Sequence, residues 1–262
     1  MKTLWPAFGR DSKLPGMLAA PHARRRLAAV SAALPRALAA QPPRCGSHST
    51  STSSSHGASS SAATAPLSVA AAQIVATRDL NTNLANIIDR IHAAGRDGIH
   101  LLAFAEAATT GYYDDSIAAT PAAALASAER KIAEACAEAG VATVVGTPHY
   151  ENGRCFNSAT VIDRTGQVVG RQHKLQLVPT DHWAVAGENM HVMWLPDIPL
   201  PLSVIICHDK RYPELVRLPV LCGARLIVYI SWETWHDDGP VPRTDEELRP
   251  YRSQVVARAV VS

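Results

Sequence analysis

No apolar run in this 262-residue sequence reaches the roughly 18 to 20 residues that a membrane span requires, so a soluble protein without a membrane partner is expected. The five cysteines, Cys45, Cys136, Cys155, Cys207 and Cys222, include no Cys-x-x-Cys pair and no Cys/His spacing of the zinc type. Their odd number fits reduced thiols, and Cys136 and Cys222, among apolar neighbours, read as core. No internal repeat is visible. Acid is nearly absent from the first 66 residues, which hold Asp11 alone against eight Lys or Arg. The remainder carries 17 basic and 22 acidic residues, a net charge of −5. That balance argues against nucleic acid as a partner.

Residues 1–66 are rich in Ala, Ser, Arg and Pro. Within them, 17–40 carries Arg24, Arg25, Arg26 and Arg36 among Ala and Leu, the pattern of a basic amphipathic helix. Residues 49–61 form a Ser-rich tract with too little apolar surface to fold. Arg-rich, Ser-rich and acid-poor is the composition of an organellar transit peptide, with the mitochondrion favoured over the chloroplast by the Arg-bearing helix. A disordered extension without an address is the alternative. The folded domain is expected over 67–262.

From residue 67 onward the pattern alternates. Apolar runs at 67–76, 99–103, 141–146, 202–206 and 225–230 read as buried strands. Residues 155–163 and 168–172, separated by the turn Arg164-Thr165-Gly166-Gln167, read as a hairpin. Helices are expected over 81–96, where Leu84, Ile87, Ile88 and Ile91 share a face, and over 121–140 and 212–222. Such alternation argues for an α/β fold with strands buried between helical layers.

Three residues lie where such a fold gathers its chemistry, at strand ends. Glu106 follows one buried strand, Lys174 follows the hairpin, and Cys207 follows the strand 202–206. A thiol is mostly protonated at neutral pH and needs a base or a cation to become a nucleophile. Glu106 can serve as that base, Lys174 can stabilise a thiolate and an oxyanion, and the backbone N–H of His208 can be a second oxyanion donor. Taken singly, a Glu after a strand is usually solvated and a lone Lys is usually on the surface.

The company they keep changes this. Residues 101–106 with Gly111-Tyr112, then Asn157-Ser158-Ala159, Gly166 and His173-Lys174-Leu175, then 206–215 with Gly223-Ala224, stand in one order along the chain. Together they resemble the glutamate, lysine and cysteine motifs of the nitrilase, or carbon–nitrogen hydrolase, superfamily, over roughly residue 67 to the end. The resemblance implies a four-layer α-β-β-α sandwich. It also implies amide hydrolysis through a Cys207 thioester, with Glu106 as base and Lys174 at the oxyanion, and no metal or organic cofactor. The partner implied is a small amide, and the assembly a homo-oligomer if the full domain is present.

Departures from the pattern are as informative. Ala105 stands where Pro is common. No Glu follows Lys174 before Glu188, although many members carry a second glutamate there; either Asp181 substitutes or the role is missing. The chain stops within what resembles the late helix, so the last strands of the sandwich are expected to be missing and activity impaired. A binding or subunit protein is therefore the alternative function. True nitrilases usually follow the nucleophile with Trp-Glu; His208-Asp209 here shifts the expectation from nitriles to amides. Residues 207–214 are similar to those of N-carbamoyl amino acid hydrolases, which gives Lys210 a candidate role in binding a substrate carboxylate. Trp232, with its neighbours 231–235, and Trp183 are candidate pocket residues, or else aromatic packing beneath a loop.

Overall fold

A computed structural model of the chain describes residues 28–30, 66–232 and 245–261. The first strand of the domain, β2 (Val69–Ala72), leads through a loop to helix α1 (Leu80–Arg96). The helix starts where Asp79 accepts the Thr82 N–H at 2.7 Å, an N-cap that satisfies one of the donors a helix leaves open. Its buried side chains, Leu84, Ile87, Ile91 and Ala94, recur every three or four residues on the face turned to the core. Helix α3 (Ala122–Ala139) presents Leu125, Ala128, Ile132, Ala135 and Cys136 in the same way and stops at Gly140, whose φ of +66° a Cβ would penalise.

These helices cover one face of a six-stranded sheet. Its order is β1-β2-β3-β4-β5-β6, with β3 at Leu101–Phe104, β4 at Ala142–Glu151, β5 at Arg154–Ile162 and β6 at Val168–His173. β2, β3 and β4 run parallel, then β4, β5 and β6 alternate in direction. Residues 28–30, expected within a helix, are instead a strand, β1, antiparallel to β2 from Ala28↔Ala71 to Val30↔Val69. The open edge of β2 supplies the backbone partners that outweigh a helical preference there. The rest of residues 1–65 lies outside the described residues.

A second sheet pairs β7 (Leu202–Ile206) in parallel with β8 (Leu226–Ile230). Leu101, Val144, Ala159 and Val161 of the first sheet and Leu202, Val204, Ile206, Val228 and Ile230 of the second form one apolar layer between them. Helices α4 (Pro213–Leu221) and α5 (Asp245–Val261) follow the strands of this second sheet. The layers are thus helix, sheet, sheet, helix, the expected α/β sandwich, with two strands in the second sheet among the described residues. The remaining helix, α2 (Asp114–Ala119), is a short element that sequence periodicity does not announce. No described helix is long and apolar enough to cross a membrane.

Candidate active site

The chain ends of β3, β6, β7 and β8 deliver the site. Glu106 comes two residues after β3, Lys174 directly after β6, Cys207 directly after β7, and Ser231-Trp232 directly after β8. Hairpin register sets one part of this. Ser158 pairs with His173, so the next step brings the Lys174 N–H onto the Asn157 carbonyl at 2.8 Å and their side chains to the same place. The turn carrying Glu106 crosses directly over β4 at Gly146. A Cβ there would lie 2.3 Å from the Ala105 oxygen and 2.6 Å from the Glu106 Cα, so only glycine admits the crossing.

The Glu106 carboxylate is fully buried. Its Oε1 accepts from Lys174 Nζ at 2.8 Å and from the Asn157 amide at 2.7 Å, and its Oε2 accepts the Trp232 backbone N–H at 2.8 Å. The Cys207 thiol faces the same carboxylate, whose charge raises its pKa. Lys174, equally buried, reaches a second carboxylate, Asp181 Oδ2, at 2.9 Å. Asp181 lies in a 3-10 turn (Pro179–Asp181). It is fixed there by the Val178 N–H at 2.8 Å, the Asn157 amide at 3.1 Å and the Tyr112 hydroxyl. The question left by the missing second glutamate is answered: a carboxylate is present, on Asp181, seven residues after the lysine.

An ammonium has three donors, and two are committed to these carboxylates, so one remains for a reacting oxygen. Burial alone would push the Lys174 ammonium toward neutrality, but Glu106, Cys207 and Asp181 outweigh it and hold its pKa above the ordinary value. Burial also pushes the Cys207 thiol up to about 11. Glu106 adds to that rise, whereas Lys174 and a hydrogen bond from Ser231 oppose it. At neutral pH Cys207 therefore rests as a thiol.

Cys207 itself has φ +48°, and Ala107, next to Glu106, has φ +50°. Non-glycine residues occupy this region at a cost of about 1–3 kcal/mol and do so mostly at functional turns. Cys207 opens a 3-10 turn (Cys207–Arg211) in which His208, the second residue, has no carbonyl within the turn to receive its N–H. That leaves the His208 N–H without a partner inside the turn. Its imidazole packs edge-on against Tyr212.

Asp209 ties this turn to the lysine loop. Its buried carboxylate accepts the N–H of Gln176 at 2.7 Å and of Leu175 at 3.2 Å, and burial raises its pKa to about 6. Lys210 is buried, and its ammonium donates to the Tyr229 hydroxyl at 2.5 Å while lying over that ring. Trp232 contributes its backbone to Glu106 and its ring to an aromatic group, stacked on Tyr112 and edge-on to Tyr113. Trp183 meets Tyr112 from another side. Residues 233–235 lie outside the described residues. Cys136 is in the core, but Cys222, expected there, caps the end of α4 and is exposed.

The sequence brings out Glu106, Lys174 and Cys207, and Ser231 as a candidate pocket residue, but gives no role to Asn157, Gly146 or Asp209. Asn157 and Asp209 stood inside the motifs, and that placement was the available signal.

The chain belongs to the carbon–nitrogen hydrolase family, which it matches over residues 68–257. Among solved structures it is similar to an amidase from Nesterenkonia sp., 27% identical with a TM-score of 0.64 over 73% of this chain and 71% of that one; a mutant of the Nesterenkonia AN1 amidase, described as from the nitrilase superfamily, matches equally well. It is 29% identical to a formamidase of Bacillus thuringiensis (strain Al Hakam) over 164 residues, which are 58% of this chain and 48% of that one. A protein of Staphylococcus lugdunensis named "Hydrolase in agr operon" is 32% identical over 94 residues, 35% of this chain and 39% of that one. The chain thus spans less than half the length of these two relatives.

Proposed function

We propose that this chain hydrolyses the carbon–nitrogen bond of a small amide through a Cys207 thioester. One observation carries the reading. The buried Glu106 carboxylate takes the Lys174 ammonium and faces the Cys207 thiol, with the nucleophile on a strained turn. Glu106 accepts the thiol proton as Sγ bonds to the amide carbon, and the carbonyl electrons move onto oxygen. Lys174 Nζ and the His208 N–H hold that oxyanion. Its collapse breaks the C–N bond, and Glu106 returns the proton to the departing nitrogen. Water then loses a proton to Glu106 and its hydroxide adds to the thioester. Cys207 leaves with the proton restored, and the acid is released.

The similarity to the Nesterenkonia amidase and the Bacillus formamidase supports amides over nitriles. So does His208-Asp209 after the nucleophile. The engagement of Lys210 with Tyr229 favours uncharged amides over carbamoyl amino acids, because that ammonium is already drawn into a contact within the protein. Ammonia release from a panel of small amides, carbamoyl amino acids and nitriles tests the reading, with Cys207→Ala as the control. Amide turnover lost in that variant is expected. Turnover that survives it, or release from nitriles alone, would overturn the proposal.

Two further expectations belong here. On composition alone, residues 1–66 are proposed to direct import into an organelle, the mitochondrion before the chloroplast; the location of a fluorescent protein fused to these residues decides it. A homo-oligomer is proposed on the family resemblance. Leu218 and Leu221 of α4 and Val256 of α5 are exposed apolar side chains of the kind a second copy would cover, and light scattering reads the mass.

A further inference from the structure

Ser231 lies beside the nucleophile by construction of the second sheet. β7 and β8 are parallel and in register, and their last pair is Ile206↔Ile230. The next residue on each strand, Cys207 and Ser231, therefore leaves the sheet at the same level. Cys207 turns away through its positive φ. The chain after Ser231 is pinned, because the Trp232 N–H is bound to Glu106 Oε2 at 2.8 Å. One dipeptide thus brackets the reacting pair, with Trp232 on the base and Ser231 beside the thiol, whose pKa it lowers.

We propose that Ser231 is a further catalytic residue, whose hydroxyl donates to Cys207 Sγ and carries part of the negative charge on sulfur when it attacks and again when it leaves. The inference rests on the thioester reading above and adds to it a donor that the motifs do not contain. The two neighbours of the thiol are chemically complementary. The thiol spends its one proton on Glu106, so its sulfur is left as an acceptor, and a hydroxyl is a donor that can fill that place. Once the proton passes to Glu106 the same contact becomes a hydrogen bond to an anion, roughly twice as strong as a neutral one. It thus stabilises the charge-separated state more than the resting one, which is the condition for lowering a barrier. In the second half of the reaction the C–S bond breaks, its electron pair returns to sulfur, and the hydroxyl is in place to meet it. Lys174 cannot do this alone, since two of its three donors are held by Glu106 and Asp181.

The test uses the full chain as Ser231→Ala and Ser231→Thr. Alkylation of Cys207 by iodoacetamide is followed by peptide mass spectrometry between pH 7 and 9, beside ammonia release from acetamide. Loss of a hydrogen bond to an anion raises the thiol pKa by about one unit. The thiolate fraction then falls about tenfold, while the more basic sulfur regains a factor of about three in nucleophilicity. The expected net effect of Ser231→Ala is about threefold slower alkylation at every pH. The expected loss in kcat is about tenfold with KM little changed, and Ser231→Thr, which keeps the hydroxyl, stays near the parent. Alkylation of Ser231→Ala at the parent rate would overturn the proposal. Equal slowing in Ser231→Thr would also overturn it, because packing and not the hydroxyl would then be at work. If the parent releases no ammonia from acetamide or the amide panel while the alkylation difference holds, the amide reading falls and the Ser231 contact stands.

Discussion

Replacing Asp181 by Asn removes one of two carboxylates around Lys174 and leaves the side chain's shape almost unchanged. The ammonium lies 2.8 Å from Glu106 and 2.9 Å from Asp181, with all three side chains closed to solvent. Removing one partner of a buried pair costs about 3–5 kcal/mol, because the remaining charge keeps its desolvation penalty. Here Glu106 still balances Lys174, which places the loss at the lower end, about 3 kcal/mol. The new amide also faces donors it cannot accept from on its nitrogen side: Asn157, Tyr112 and Lys174 all donate toward this position. For a domain of this size about 3 kcal/mol corresponds to a fall of roughly 6–12 °C in Tm. Catalysis suffers separately. Lys174, no longer held from two sides, shifts toward Glu106, blunts the base and moves its remaining donor off the oxyanion. A displacement of that order costs about 100-fold in kcat. Thermal unfolding followed by circular dichroism and ammonia release from the best amide substrate are the two readouts. Asp181→Glu keeps the charge and should retain most of both. A Tm for Asp181→Asn within 2 °C of the parent, together with kcat within threefold, would refute the claim that this carboxylate holds the lysine.

Glu106→Gln should separate two properties usually lost together. Glu106 raises the Cys207 pKa by its charge and by accepting the thiol proton, so its removal lowers that pKa. Alkylation of Cys207 should quicken while amide turnover disappears, and a parallel loss of both would contradict the assignment of Glu106 as base. Gly146→Ala should cost about 1–3 kcal/mol for overpacking and displace the Glu106 turn, with an activity loss of at least about 100-fold; a fully active variant would show that the crossing has slack. Asp209 predicts a pH dependence of stability. Its folded pKa, near 6, lies above the ordinary 3.8, so the folded chain holds this proton more tightly than the unfolded one. Its contribution is greatest below about pH 4, declines as pH rises toward 6, and is constant above. The two-unit difference is worth about 3 kcal/mol. The stability of the parent relative to Asp209→Asn, from urea unfolding, should fall by that order between pH 4 and 7, and a flat difference would refute it.

The helices and strands with clear periodicity were legible. The apolar spacing of 81–96 and 121–140 gave α1 and α3, and the turn at 164–167 gave the β5–β6 hairpin. The candidate trio was legible too, because thiol, carboxylate and amine stood after strands in the order of the family's motifs. Other features are not written in local pattern. β1 exists through a pairing to a strand about forty residues away, which no window of sequence contains. Asp181 could be named but not placed, since its role depends on a turn that folds it back onto Lys174. Gly146 is an ordinary glycine until another strand's turn crosses it. Cys222 looked buried by its neighbours, yet it falls one residue past the end of α4, where the chain turns outward.

The division of the site between two sheets has a consequence for how the protein can be watched. Glu106, Asn157 and Lys174 lie on or just past strands of the six-stranded sheet, and Cys207, Ser231 and Trp232 just past those of the two-stranded one. The hydrogen bond from Trp232 to Glu106 spans 126 residues of sequence and bridges the two. Each sheet can keep its own ladder of backbone bonds while sliding on the apolar layer between them. Circular dichroism would record nothing of such a slip, but a reaction needing Sγ and Oε in contact would stop. Turnover is thus a gauge of the alignment between layers, and during folding or heating it should appear last and vanish first.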